Sequence, residues 1–171
     1  MGRDDPGGGY YAGTQSDVRA TAAHANNVFR GINGGDCSGS GRQVIYIDTS
    51  VALAAVFAET RALSAIFWNE SLVSSRLLQF EMLTRIHARQ LGGAELRAAA
   101  VMLAKVELVE MTPENLTRAL TPFPLSVRTL DGLHLATMDY LRRRGQTLHL
   151  ASYDLRFIAA AQALGFPLAG I

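Results

Sequence analysis

From Val44 to the end of the chain, short apolar runs alternate with longer stretches of helical periodicity, and no other feature limits the possible folds so strongly. VIYI (44–47) reads as a short buried strand of β-branched and aromatic residues. A helix SVALAAVFAE follows, then a second over residues 62–69. LVSS (72–75) reads as the next strand and RLLQFEMLTRIHARQ as a long helix. GG at 92–93 breaks the chain before a helix AELRAAAVMLAKV, VELVEM (106–111) is a third strand, and TPENLTRAL opens on a Thr-Pro helix start. Beyond the TPFPL loop come a helix over 131–143, a strand TLHLAS (147–152), a helix from Asp154 to Leu164, and a last short strand around FPLAGI. Strands separated by helices pair in parallel through right-handed crossovers, which predicts a three-layer α/β/α domain over residues 43–171 with a central parallel sheet. Ligands of such sheets bind beyond the carboxyl ends of the strands. Asp48 directly follows the first of these strands, and Asp154 comes two residues after the strand TLHLAS.

The chain has a different character ahead of that point. Ten of its sixteen glycines lie in residues 1–42, with GGG at 7–9 and GGDCSGSG at 34–41. Only DVRATAAHANNVF (17–29) has the makings of a short helix, and its apolar face is thin. So little apolar surface cannot offset the entropy of ordering, so residues 1–42 are expected to form a flexible extension. The abrupt start of a well-formed strand also favours a translation start near Val44, with the preceding residues read in frame from upstream.

Composition removes several classes of function. With 16 basic and 15 acidic residues in 171, no global field advertises a polyanionic partner, and any nucleic-acid contact must be local. One cysteine, Cys37, excludes an intrachain disulfide and a cysteine-based zinc site, and the four histidines lack ligand spacing. No apolar run reaches the roughly 18 residues of a membrane span. The start MGRDDPGGGYY lacks the pattern of a secretion signal, so a cytoplasmic protein is expected.

Four acids stand out against this apolar background: Asp48, Glu81, Asp131 and Asp154. The three aspartates each precede a helical pattern and could each act simply as an N-cap. Glu81 resists that account. It lies mid-helix among Leu77, Leu78, Phe80, Met82 and Leu83, where a carboxylate costs on the order of several kcal/mol unless it is paired or coordinates a metal. A shared pocket explains all four. Clustered carboxylates repel, so a cation is needed for all to stay ionised. Hard oxygen donors without cysteine or paired histidine select Mg²⁺ or Mn²⁺, ions that bind phosphates, lower the pKa of a water and stabilise a leaving oxygen.

The order DTS after the first strand, a glutamate in the following long helix, RTLDGLHLATMDYLRRRG, and S-x-D after the fourth strand resembles the PIN-domain family, and within it the VapC-type toxins of bacterial toxin–antitoxin pairs. The similarity runs over roughly residues 44–168. It implies that Asp48, Glu81, Asp131 and Asp154 are the catalytic acids that hold Mg²⁺ or Mn²⁺. It also implies a ribonuclease acting on structured RNA such as tRNA or ribosomal RNA, a small antitoxin partner, and a homodimer formed through apolar helices. In this family the first and fourth strands lie side by side at the sheet's centre, so Asp48 and Asp154 would face one another. Ser152 would then orient a carboxylate or a water.

Other residues carry less. Arg128 is a candidate RNA-phosphate contact. Arg142–Arg144 fit a helix's last turn, where they complement its dipole. His134 is expected to pack and Asp139 to face solvent. The helices at 50–58 and 62–68, with Phe57, Phe67 and Trp68, offer apolar surface for a dimer or an antitoxin. Two other functions remain open: a PIN nuclease that matures RNA without being a toxin, and a PIN module that binds RNA or protein without cutting. A phosphoryl-transfer fold of the receiver or haloacid-dehalogenase kind is disfavoured. Lys105, the sole lysine, precedes its strand, and DTS has no second acid.

Overall fold

The computed structural model describes residues 44–171, so the expected extension over 1–42 lies outside the described residues. Four strands, β1 (Val44–Ile47), β2 (Ser71–Ser75), β3 (Val106–Val109) and β4 (Leu148–Ala151), form one sheet in the order β3–β2–β1–β4, and every pairing is parallel. The helices are α1 (Thr49–Val56), α2 (Leu77–Ala88), α3 (Gly93–Leu103), α4 (Pro113–Ala119), α5 (Thr129–Arg143) and α6 (Leu155–Ala163). The three-layer α/β/α arrangement read from the alternation is the one the chain adopts.

Strand alternation sends successive side chains to opposite faces. Ile45 and Ile47 join a cluster with Val51 and Ala52 of α1, Leu78, Met82 and Ile86 of α2, and Ala99 and Met102 of α3. Tyr46 points to the other face, where it meets His134 of α5 edge to face. Caps set the helix starts. The Asp48 carboxylate caps α1, Thr112 caps α4 with Pro113 in the first turn, and Asp154 caps α6. α5 and α6 end in glycines with φ of 86° and 83°, Gly145 and Gly165. At each end the next N–H reaches back inside the helix, Gln146 to Leu141 at 3.1 Å and Phe166 to Ala161 at 3.0 Å, the six-residue closure that needs a left-handed residue.

The chain departs from the sequence expectation at several elements. The helix expected over 62–69 is only a 3-10 turn at Phe67–Asn69. The chain reverses at Ala58, where φ is 50°. Beyond it only Leu63, Phe67 and Trp68 pack against the core while Ile66 is 75% exposed, too little buried face to hold so short a helix. Together with Leu53 and Phe57 these side chains use internally part of the apolar surface assigned above to a partner. The last strand reduces to one bridge, Leu150 with Leu168, held by two hydrogen bonds of 2.8 Å from Leu150 N–H to Pro167 and from Ala169 N–H to Leu150. The helix expected from residue 131 begins at Thr129, and the third strand stops at Val109.

Asp139 does not face solvent. It is 4% exposed and pairs with Arg118 of α4 at 2.7 Å and with Arg142 and Arg143 on its own helix. The partner Arg118, half-buried itself, comes from another helix, which helical periodicity along α5 alone does not reveal. Among the described residues, no helix is long and apolar enough to cross a membrane.

Candidate active site

β1 and β4 are neighbours, and the chain changes flank between them: from β1 it runs to β2 and β3 on one side and then returns to β4 on the other side of β1. This switch in direction opens a crevice beyond their carboxyl ends. The Asp48 N–H donates to Ala151 at 3.0 Å, carrying the β1–β4 ladder one residue past the strands. That register sets Asp48 beside Ser152.

A short polar weave locks the two strand ends together. Asp48 Oδ2 accepts from Ser50 N–H at 3.2 Å, Ser50 Oγ at 2.6 Å and Ser152 Oγ at 2.9 Å. Ser152 Oγ accepts from the Asp154 N–H at 3.0 Å, and Ser50 Oγ from the Tyr153 N–H at 2.9 Å. Asp154 Oδ1 accepts from Arg156 and Phe157 N–H at 2.9 and 3.3 Å. Asp48 and Asp154 are thus both helix caps and pocket residues.

Glu81 reaches the same pocket from α2. Its Oε2 accepts from Thr49 Oγ1 and from His134 Nε2, the latter at 3.0 Å. Burial works to raise its pKa, but the hydrogen bonds from His134 and Thr49 and the charge of Arg85 outweigh burial and hold it below the usual glutamate value. Asp131 stands in the first turn of α5, whose N-cap is Arg128, so it is not itself the cap. Its pKa is raised, first by burial and then by the charges of Asp154 and Asp48, against the pull of Arg128.

All four acids line one open pocket of about 520 Å³, with Arg85, Arg89 and Arg128 on its wall. Arg85 lies four residues after Glu81 on α2 and Arg89 eight residues after it at the C-cap of that helix, a one-face spacing visible in the sequence. Arg89 stacks its guanidinium 4.3 Å from the Phe57 ring centroid. Of the other arginines, Arg142 donates to the Leu164 carbonyl at 2.6 Å and Arg144 pairs with Glu114 at 3.7 Å, so they brace helix ends away from the pocket.

The donors suit a hard divalent cation. One oxygen each of Asp48, Glu81 and Asp154 is held by the protein, and Asp48 Oδ1, Glu81 Oε1 and Asp154 Oδ2 accept no hydrogen bond from a described residue. The mutual repulsion felt at Asp131 is the tension that positive charge would relieve. Among the described residues, no three acidic, imidazole or thiol groups converge into a ready-made cage. Mg²⁺ keeps several waters and is commonly bound through only one or two carboxylates, so an open site is compatible with it.

The fold and this crevice define a class. A sequence model of the PIN domain matches residues 45–163, and the chain belongs to the PIN domain family. Among solved structures it is similar to the VapC20 toxin of Mycobacterium tuberculosis, described as a sarcin–ricin loop cleaving toxin. The TM-score is 0.52 and the identity 22%, over 68% of this chain and 94% of that one, a likeness of fold. No curated protein sequence matches the chain closely enough to count as a relative.

Proposed function

We propose that this protein is a Mg²⁺- or Mn²⁺-dependent endoribonuclease and the toxic component of a type II toxin–antitoxin pair. The observation that carries the reading is the meeting of Asp48, Glu81, Asp131 and Asp154, drawn from four separate segments, in one pocket at the carboxyl ends of β1 and β4. Membership of the PIN domain family and the fold shared with a toxin described as cleaving the sarcin–ricin loop support it.

Asp48, Glu81, Asp131 and Asp154 would share the hold on the ion, one or two of them through an unengaged oxygen and the others through the waters that the ion keeps. A divalent ion held there supplies positive charge that lowers the pKa of an attacking water and offsets charge on the leaving oxygen. The chain's own contribution is positional. Ser50 and Ser152 fix the Asp48 carboxylate, the start of α6 fixes Asp154, and Arg85, Arg89 and Arg128 offer guanidinium groups to the flanking phosphates of a structured RNA such as tRNA or ribosomal RNA. The antitoxin and a homodimer belong to the same reading, with the apolar groove between Trp68 and Val101 as the surface for one of them.

Purified protein is to be assayed on total RNA with Mg²⁺. Asp48→Asn should lower cleavage on the order of 100-fold or more while the protein stays folded, and should abolish any growth inhibition on expression. Cleavage by Asp48→Asn at the wild-type rate would remove that residue from the chemistry. Added Mg²⁺ should stabilise the wild type against heat and leave Asp48→Asn unchanged.

A further inference from the structure

Behind Glu81 lies a buried polar chain that the metal-holding acids do not account for. The Ser75 N–H donates to the Tyr46 hydroxyl at 3.1 Å, the hydroxyl lies 2.8 Å from His134 Nδ1, and His134 Nε2 lies 3.0 Å from Glu81 Oε2. Tyr46 is fully buried and His134 is 2% exposed, between the Tyr46 and Phe157 rings. The links from Ser75 to His134 are shut away from water and the last, to Glu81, is part-buried at the pocket wall, so the hydrogens between Ser75 and His134 have to be placed within the protein.

With His134 as a neutral imidazole, the placement has a direction. A carboxylate only accepts, so Nε2 carries the proton toward Glu81. Nδ1 of a neutral imidazole then accepts, and the proton it needs comes from the Tyr46 hydroxyl. That hydroxyl oxygen is already occupied by the Ser75 N–H, and the nearby Ser74 hydroxyl gives its own proton to the Ile47 carbonyl at 2.8 Å. The chain therefore starts at a backbone amide of β2, itself held by the sheet, and ends on one oxygen of Glu81. Thr49, the residue after Asp48, donates to the same oxygen. Oε1 is the one left without a donor from the described residues.

We propose that Tyr46 and His134 are positioning residues, a one-way hydrogen-bond relay from the sheet that fixes the Glu81 carboxylate by Oε2 and reserves Oε1 for the divalent ion. The inference rests on the metal reading of the pocket. It assigns His134 no contact with RNA or with the ion. Partners of this kind behind a ligand carboxylate or imidazole typically change metal affinity by about 10–100-fold when removed.

The test uses Mn²⁺ binding to the metal-free, full-length protein, followed by electron paramagnetic resonance, together with ¹⁵N spectra of histidine-labelled protein. His134→Ala should weaken Mn²⁺ binding by about tenfold or more. His134→Gln, whose amide can return an N–H to Glu81, should recover most of it. Tyr46→Phe keeps the ring volume and should weaken binding less than His134→Ala does. The His134 spectrum should show a protonated Nε2 and an accepting Nδ1 in the wild type, and a change at Nδ1 in Tyr46→Phe. Wild-type Mn²⁺ affinity in folded His134→Ala would overturn the relay alone, as would a wild-type spectrum with the proton on Nδ1 and none on Nε2. Should His134→Ala fail to fold, unchanged Mn²⁺ affinity and an unchanged spectrum in Tyr46→Phe would overturn it instead. A wild-type protein that binds no Mn²⁺ would overturn the metal reading and this proposal together.

Discussion

Asp131 carries a crowded charge in the crevice. Its pKa is raised by burial and by Asp154 and Asp48, so its folded value lies above its unfolded one. Such a group favours the folded state when protonated, and that contribution is lost as pH rises through the folded pKa. Asp131→Asn imitates the protonated form at every pH. The metal-free variant should therefore melt above the metal-free wild type at neutral pH, with the gap closing as pH falls into the carboxylate range. Scanning calorimetry at several pH values checks this, and equal melting points at neutral pH would contradict the crowding of charge described here. Glu81 behaves in the opposite sense. Its pKa is lowered, so its contribution is present above the unfolded value and lost as pH falls through the folded one.

Among the elements, α4 and α5 are held together by a charge clamp. Asp139 of α5 is buried and takes Arg118 from α4, whose guanidinium also sits 4.4 Å from the Phe123 ring centroid. Burial would raise the Asp139 pKa, but the Arg118 and Arg142 hydrogen bonds and charges prevail and lower it. Asp139 is buried and its arginines are partly exposed, so Asp139→Ala should cost about 1–3 kcal/mol of unfolding free energy in urea. The lowered pKa places the clamp's loss at acid pH, as Asp139 protonates. α5 also contains a removable weakness. A Cβ at Gly132 would meet Val127 and Phe123 at 3.4 and 3.5 Å, ordinary contact, so Gly132→Ala should stabilise the helix by about 0.5–1 kcal/mol.

For the whole molecule the formal net charge is only +1, so on the proposed reading RNA affinity would come from the local arginine wall. Each phosphate contact contributes about one unit to the salt dependence of binding. Arg85→Ala and Arg128→Ala, in an Asp48→Asn background that does not cut, should each weaken binding across RNA sequences and lower the salt slope by roughly one. Filter binding between low and moderate salt reads both quantities. An unchanged slope would move the RNA path off this wall.

Much of the architecture could be read along the chain, because a buried strand and an amphipathic helix announce themselves within ten or so residues. VIYI, LVSS and TLHLAS became strands, and their parallel pairing followed from the helices between them. The four acids were visible because a carboxylate such as Glu81 is costly amid leucines, which makes it conspicuous without any coordinates. Segments whose state depends on distant packing were misread: residues 62–69 lack a face to bury, and the C-terminal strand shrank to one bridge at Leu168. Asp139 was misassigned for the same reason, since Arg118 is near it only after α4 has folded against α5. The alignment of Ser75, Tyr46, His134 and Glu81 likewise appears only when two strands and two helices are in place. Local patterns specify what each segment can become. Hydrogen-bond partners far apart in sequence are chosen by packing, and the direction of a buried proton is chosen last.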